Sequence, residues 1–472
     1  MIERWSRRLG GASAAPFSEQ LGRLLRLMIL SQCLPTAEFG AAVIITLVIG
    51  MADLATDTSA DKFVVLRASD NAWDALAASH LISLARGILL CLTVMLLAGP
   101  LARFLGAPDA AAGLAVASLF LLLRGFSHLE IKQIQHDYRF KPDAIASVSA
   151  QGFSVLMVGL AALTLADHRA AVVAFLAEGM AYAILSHRLA RTRWRLASSL
   201  ASLKDALGFA LPLMANGVGL ATLSQADRAI ISVRLGLEAL ALYAVVMSVA
   251  ISIAAPFIRA MFTLGFSLMV RSREAGSSSQ SETALLIAWG STLAALGYAA
   301  ALALSLDWLV PLLFGRQYQV DHMVHALVVG IAFVRVSRNA STVFLLAEGR
   351  GRALAISNLL GFAGLALALL LSWIWPNPAA VLLGLLIGDL LVELALRLAS
   401  VRHSPARGAL LRQAWFSMGL CLVVTAFQWL WQPAGPQGWL LFLAVLGMLA
   451  IIPAWRVLAL FRARSAPASA AP

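Results

Sequence analysis

Residues Asp167–Lys204, DHRAAVVAFLAEGMAYAILSHRLARTRWRLASSLASLK, carry the pattern that decides the fold. An apolar run, Ala170–His187, lies between two very different connections. The first, Asp167-His168-Arg169, holds one arginine; the second holds Arg188, Arg191, Arg193, Arg195 and Lys204. The run is close to the ~20 residues that a hydrocarbon core of ~30 Å requires. Arginine and lysine collect on the cytoplasmic side of membrane helices. The stretch therefore reads as one crossing that starts outside and ends inside.

The same alternation extends in both directions. About fourteen apolar segments run from Phe17–Leu34 to Trp439–Leu460. Pro35-Thr36, Asn377-Pro378 and the Gln432–Gly438 turn contain no cation. The intervening connections hold Lys62 and Arg67; Lys132, Arg139 and Lys141; Arg271 and Arg273; Arg350 and Arg352; Arg402, Arg407 and Arg412. Roughly two dozen cations fall on one side against about five on the other, which puts both termini in the cytoplasm. Of the 472 residues, 60% are hydrophobic and 13% charged, with mean hydropathy +0.84. A soluble domain of this size could not cover its surface with so few charges. The net charge of +12 is dispersed among short loops, which points to membrane anchoring and away from nucleic acid. The N-terminal basic stretch lacks the apolar run and cleavage site of a signal peptide. Cys33, Cys91 and Cys421 have no pairing or metal-ligand spacing and read as packing residues. Trp308, Trp373, Trp375, Trp429, Trp431 and Trp439 fall near segment ends, where interfacial aromatics belong.

Some segments depart from the simple pattern. Phe17–Leu34 contains Arg23 and Arg26, each costing at least ~2.5 kcal/mol near mid-bilayer, so this helix should face a polar interior. Ala239–Val270 is over-long and contains Pro256, which predicts a kink. Pro212, with Gly208, Gly217 and Gly219, predicts a discontinuity in the preceding helix.

Leu34-Pro35-Thr36-Ala37-Glu38-Phe39-Gly40 precedes the second helix, and Leu235-Gly236-Leu237-Glu238-Ala239-Leu240-Ala241-Leu242-Tyr243 leads into the eighth. Each offers a leucine, a tight turn, an acid and a new apolar helix, a weak internal repeat about six helices apart. Two six-helix lobes and two trailing helices account for the total. The expected organisation is an all-α polytopic membrane protein. It has a disordered basic tail (1–16), an N-terminal lobe (17–203), a C-terminal lobe (204–405), two added helices (406–464) and a disordered tail (465–472).

The Leu34–Gly40 turn, the stretch Arg124-Gly125 through Asp137-Tyr138-Arg139-Phe140, and Leu211-Pro212 through Ala226-Asp227-Arg228 to Tyr243 together resemble a known family. The chain looks like a polysaccharide, or O-antigen repeat-unit, flippase of the multidrug/oligosaccharidyl-lipid/polysaccharide exporter superfamily. Pro35 and Ala241 stand where the family usually has glycine, and the first helix is unusually basic. The resemblance implies a transporter of the bacterial inner membrane, not an enzyme. Its cargo would be an undecaprenyl-diphosphate-linked oligosaccharide, moved by alternating access. Membrane lipids and other polysaccharide assembly proteins would be partners, with no nucleic acid and a monomeric state. A cation-coupled drug exporter of the same superfamily and a membrane polysaccharide polymerase are the alternatives.

A diphosphate moved bare through hydrocarbon faces a Born penalty of order tens of kcal/mol, which a water-filled, cation-lined cavity removes. Arginine suits phosphate through its planar fork of donors. The candidates are Arg23, Arg26, Arg86, Arg259, Arg335 and Arg338. The opposing reading is static pairing. Counting depth along antiparallel helices matches Arg23 to Asp53, Arg86 to Glu178, and the Arg335/Arg338 pair to Asp389 and Glu393. Pairing is favoured for Arg335 and Arg338, and a headgroup role for Arg23 and Arg26. Arg124 is expected to snorkel to the cytoplasmic surface. Asp53, Asp57 and Asp61 recur every fourth residue and would share one helical face. Asp53, Asp57 and Glu178 are thus the candidates for coupling to a cation or proton, with Asp61 read as already in the aqueous margin. No residue cluster suggests catalysis, a cofactor or a metal; His322, His325, His128 and His136 lack ligand spacing.

Overall fold

The computed structural model describes residues 2–68, 72–196, 199–274, 276–402, 406–430 and 435–465. Among them there is no β-strand. The chain is a polytopic α-helical membrane protein.

The first unit, Met1–Val245, begins with α1 (Ile2–Cys33), α2 (Thr36–Ala55), α3 (Ala72–Phe104) and α4 (Pro108–Gly125). It continues with α5 (Lys141–Leu165), α6 (Arg169–Leu189), α7 (Leu200–Leu235) and the start of α8 (Leu237–Arg273). The second unit, Val246–Pro472, holds the rest of α8, α9 (Ser277–Phe314), α10 (His322–Ala347) and α11 (Gly351–Ile374). It ends with α12 (Pro378–Arg402), α13 (Arg407–Leu430) and α14 (Gly435–Ser465). Thirteen of these helices are long and apolar enough to cross a membrane among the described residues. The fourteenth, α1, is long enough but contains Arg23 and Arg26.

Residues 2–16, expected as an irregular tail, are helical and continuous with α1. Three arginines, three alanines and Leu9 favour helix here and outweigh Gly10 and Gly11, and Pro16 lies inside the helix without ending it. The C-terminal residues 466–472 lie outside the described residues. Residues 204–245, which a six-helix division gives to the second lobe, cluster with the first unit because α7 packs along α2 and α3. At Gly217 the helices nearly touch: a Cβ there would sit 2.8 Å from the Leu54 carbonyl oxygen.

At the place where a kink is expected, α8 is interrupted for one residue, Ile253. The helix breaks between Ser252 and Ala254, at the residues whose bonding Pro256 disrupts by having no N–H for the Ser252 carbonyl. The discontinuity expected at Pro212 is absent, and α7 is helical from Leu200 to Leu235. Pro100 and Pro311 likewise sit inside α3 and α9. Proline is tolerated in membrane helices, where neighbouring helices and local backbone adjustments re-satisfy the freed groups.

The repeated turns meet. A Cβ on Gly40, at the start of α2, would collide with the Leu237 carbonyl oxygen at the start of α8. Beside this contact the buried Tyr243 hydroxyl donates to the Asp227 carboxylate, tying α8 to α7. In the second unit α10 is the central helix: 83% of its apolar window is buried, against 11% in α14. It contacts α9, α12 and α13. The charged side chains of α10, Arg335 and Arg338, are partly exposed exceptions on this buried helix.

Candidate functional site

In the first unit the charged groups are gathered by close helix contacts. The α3–α4 crossing is at Gly87 and Gly125, where an added Cβ would approach the opposing backbone to 2.8 and 2.7 Å. Arg86 and Arg124, the residues just before these glycines, are thereby carried on touching helices. Arg86 donates to the Asp53 carboxylate at 2.7 Å and to the Thr56 hydroxyl at 3.0 Å. Arg26 donates from one nitrogen to Glu178 (2.8 Å), Gln151 (2.8 Å) and Ser154 (2.9 Å). Gln151 completes the square by donating to the other Glu178 oxygen at 2.9 Å. Gly22 leaves room for Gln151, since a Cβ there would collide with its amide oxygen.

These pairs differ from those expected from depth. Asp53 takes Arg86 in place of Arg23, and Glu178 takes Arg26 in place of Arg86. Counting along a helix gives height in the membrane but not which way a side chain points. Arg23 is exposed and donates to Gln20, one turn away. Arg124 stacks over the Tyr182 ring at 4.7 Å. The carboxylate stripe is not formed. Helix α2 ends at Ala55, and Asp57 accepts from the Ser59 N–H at 2.9 Å in a turn through left-handed Ser59. Asp61 belongs to a separate short helix, Ala60–Leu66.

In the second unit Arg259, Arg335 and Arg338 come together around a cavity of about 490 Å³. Two helices build it. On α8, Ile258, Arg259, Phe262 and Thr263 lie on one face; on α10, Arg335, Arg338, Asn339 and Thr342 face them. Both sets follow the three- and four-residue spacing of one helical face. Asp389 of α12 accepts from Arg335 (2.9 Å) and Arg338 (3.1 Å), one oxygen each. Arg259 makes no side-chain hydrogen bond or ion pair among the described residues. Three guanidinium groups and one carboxylate leave the cavity with a net positive charge.

The expected match of Arg335 and Arg338 to Asp389 thus holds, and that to Glu393 does not. Glu393 pairs with Arg397 one turn along α12, and Arg397 also donates to Gln413 at 2.6 Å and Ser417 at 3.2 Å. Arg397, Asn339, Gln151 and Gln413 were not singled out from sequence. Arg397, Asn339 and Gln151 are polar side chains inside apolar segments, the mark that the candidate arginines share, whereas Gln413 stands beside Arg412 at the edge of its segment and carries no such mark.

At the cation-rich end of the first unit, His80, His128 and His187 cluster with Trp194. The His80–His128 and His128–His187 ring centres are 4.8 and 5.3 Å apart. The Leu129 N–H donates to His80 Nε2 and the Glu130 N–H to His128 Nδ1, so each ring must keep that nitrogen unprotonated. The opposite nitrogens then donate to the Arg195 and Thr192 carbonyls. Burial, aided by neighbouring His187, pushes the His128 pKa down. Glu130 accepts from the Arg191 and Thr192 N–H groups, so this cluster fastens the basic 191–195 segment.

The sequence model described as "polysaccharide biosynthesis protein" matches residues 29–322, more than half of the chain. No curated protein matches the sequence. Solved structures share the fold. A lipid II flippase MurJ in an inward closed conformation superposes with TM-score 0.66 at 11% identity, covering 94% of this chain and 98% of its own. An inward-facing multidrug resistance transporter of the MATE family, MOP superfamily, gives 0.60 at 14%, covering 86% and 95%. A MOP superfamily transporter from Pyrococcus furiosus, described as having a binding pocket of reversed polarity, gives 0.53 at 15%, covering 88% and 95%.

Proposed function

We propose that this chain, which belongs to the polysaccharide biosynthesis protein family, is a flippase for undecaprenyl-diphosphate-linked oligosaccharide repeat units. It moves them across the bacterial inner membrane by alternating access, with both termini in the cytoplasm. The observation that carries this reading is the cavity between Arg259, Arg335 and Arg338. A diphosphate entering it exchanges water for fixed guanidinium donors, which removes the larger part of the desolvation penalty. Arg259 is the group with donors to spare; Arg335 and Arg338 are already oriented by Asp389.

A drug exporter moving organic cations is disfavoured by the same charges, since a cationic cargo would meet three arginines and one aspartate. The polymerase alternative requires glycosyl-transfer chemistry, which the family assignment gives no reason to invoke. Coupling falls to Asp53 and Glu178. Each is the ion partner of a membrane-embedded arginine, Asp53 of Arg86 and Glu178 of Arg26, so neutralising either carboxylate strands an arginine and destabilises the present arrangement of the first unit.

The reading is tested by Arg259→Ala in cells. Undecaprenyl-linked repeat units should accumulate at least tenfold while the amount of protein in the membrane stays at the wild-type level. Wild-type glycan export by a normally inserted Arg259→Ala protein removes this site from the transport path.

A further inference from the structure

The arginine-lined cavity has uncharged polar lining as well, and its threonine hydroxyls are not explained by phosphate. Asn339 is only 5% exposed, and its Nδ2 amide group has no hydrogen-bond partner among the described residues. A buried donor left unmade costs about 1–3 kcal/mol, and Asn339 lines the cavity, so a side-chain rotation would bring this unsatisfied amide to a ligand acceptor. The two threonines have the opposite character. The Thr263 hydroxyl donates to the Arg259 carbonyl at 3.0 Å, and Thr342 to the Arg338 carbonyl at 3.3 Å. Each hydroxyl proton is committed to the helix backbone, so each oxygen offers only lone pairs to the cavity.

An ionised diphosphate has no proton to give those lone pairs. A sugar does: its hydroxyls donate and accept, and an acetamido substituent brings an N–H and a carbonyl. Phe262, stacked on Phe266 with ring centres 5.8 Å apart, adds an aromatic surface suited to the apolar face of a pyranose. The volume of about 490 Å³ falls within the ~300–1,000 Å³ typical of ligand sites, enough for more than a phosphate pair.

We propose that this cavity reads the first sugar of the cargo as well as its diphosphate. Arg259, Arg335 and Arg338 hold the phosphates, and Thr263, Asn339 and Thr342 hold hydroxyl or amide groups of the attached sugar. The inference rests on the flippase reading and deepens it. Thr263, Asn339 and Thr342 become specificity-determining positions, because a site with polar groups matched to a ligand hydroxyl or N–H discriminates strongly against an analogue lacking it.

The test measures binding of two probes to the purified full-length protein: undecaprenyl diphosphate, and undecaprenyl diphosphate bearing one N-acetylhexosamine. Wild type should bind the glycosylated lipid at least tenfold more tightly than the bare one. Thr263→Val and Asn339→Leu should each collapse that ratio toward one, through lost affinity for the glycosylated probe. Arg259→Ala should weaken both probes. Thr263 is exposed, so its variant keeps the test valid if Asn339→Leu fails to fold. Equal wild-type affinity for the two probes, or variants that weaken both alike, overturns sugar reading while leaving the flippase reading standing. Binding of neither probe removes both.

Discussion

Arg26 and Arg259 are both arginines inside apolar helices, yet their surroundings assign them different work. Arg26 and Glu178 are each 12% exposed at the side chain and satisfy one another through a network with Gln151 and Ser154. Removing one partner of a buried pair leaves an uncompensated charge, which typically costs about 3–5 kcal/mol. Arg26→Ala should therefore lower the melting temperature of the detergent-purified protein by several degrees. The double variant Arg26→Met/Glu178→Gln should recover most of that loss. An unshifted Arg26→Ala melt would show that the pair contributes little. Arg259→Ala should leave the melt unchanged, since no partner is stranded. The presence of embedded cations was legible in the sequence, and so was the Asp389 partner of Arg335 and Arg338. The other partners were not, because side-chain azimuth depends on helix packing that a single sequence does not display.

His128 makes a separate prediction at this scale. Its pKa is depressed in the folded protein, so on acidification the unfolded chain takes up a proton before the folded one does. Stability from this group is complete above about pH 6.5, the ordinary histidine value, and is lost as the pH falls below it. A thermal melt series from pH 7.5 to 5 should show a decline that is shallower in His128→Asn. An identical slope in both proteins would contradict the assignment.

Elements were read from sequence more successfully than side-chain partners. Hydrophobic length and loop charge found the segment Phe17–Leu34 even though its charge places α1 outside the helices apolar enough to span on composition. Pro256 correctly marked a break in α8, whereas Pro212 did not break α7. The aspartate stripe failed for a local reason: Thr56 and the Asp57–Ser59 turn stop α2 before its period can continue. Among the helix-end tryptophans, Trp308, Trp373, Trp375 and Trp429 are exposed, as interfacial rings should be; Trp431 and the Trp439 side chain lie outside the described residues. The repeat turns acquire a sharp test at Gly40. Gly40→Ala forces a Cβ into the Leu237 carbonyl and should sharply reduce folded protein in the membrane. Gly50→Ala, on the same helix with open space around it, should be close to neutral. Equal yields would show that the α2–α8 contact tolerates separation.

Over the whole chain, the alternation of basic and neutral connections accounts for a threaded membrane protein, and the family assignment accounts for what such a protein is for. Single-cysteine labelling on a background lacking Cys33, Cys91 and Cys421 tests the threading. A cysteine at Arg193 should react only from the cytoplasmic side and one at Asp167 only from the outer side. Reversed accessibility would invert the direction of transport. The central claim is that the cargo is a lipid-linked glycan, and the lipid-glycan profile of a strain lacking this protein measures it most directly. Intact undecaprenyl-diphosphate-linked repeat units should build up on the cytoplasmic face. A normal profile, with export unimpaired and drug sensitivity increased, would contradict the account.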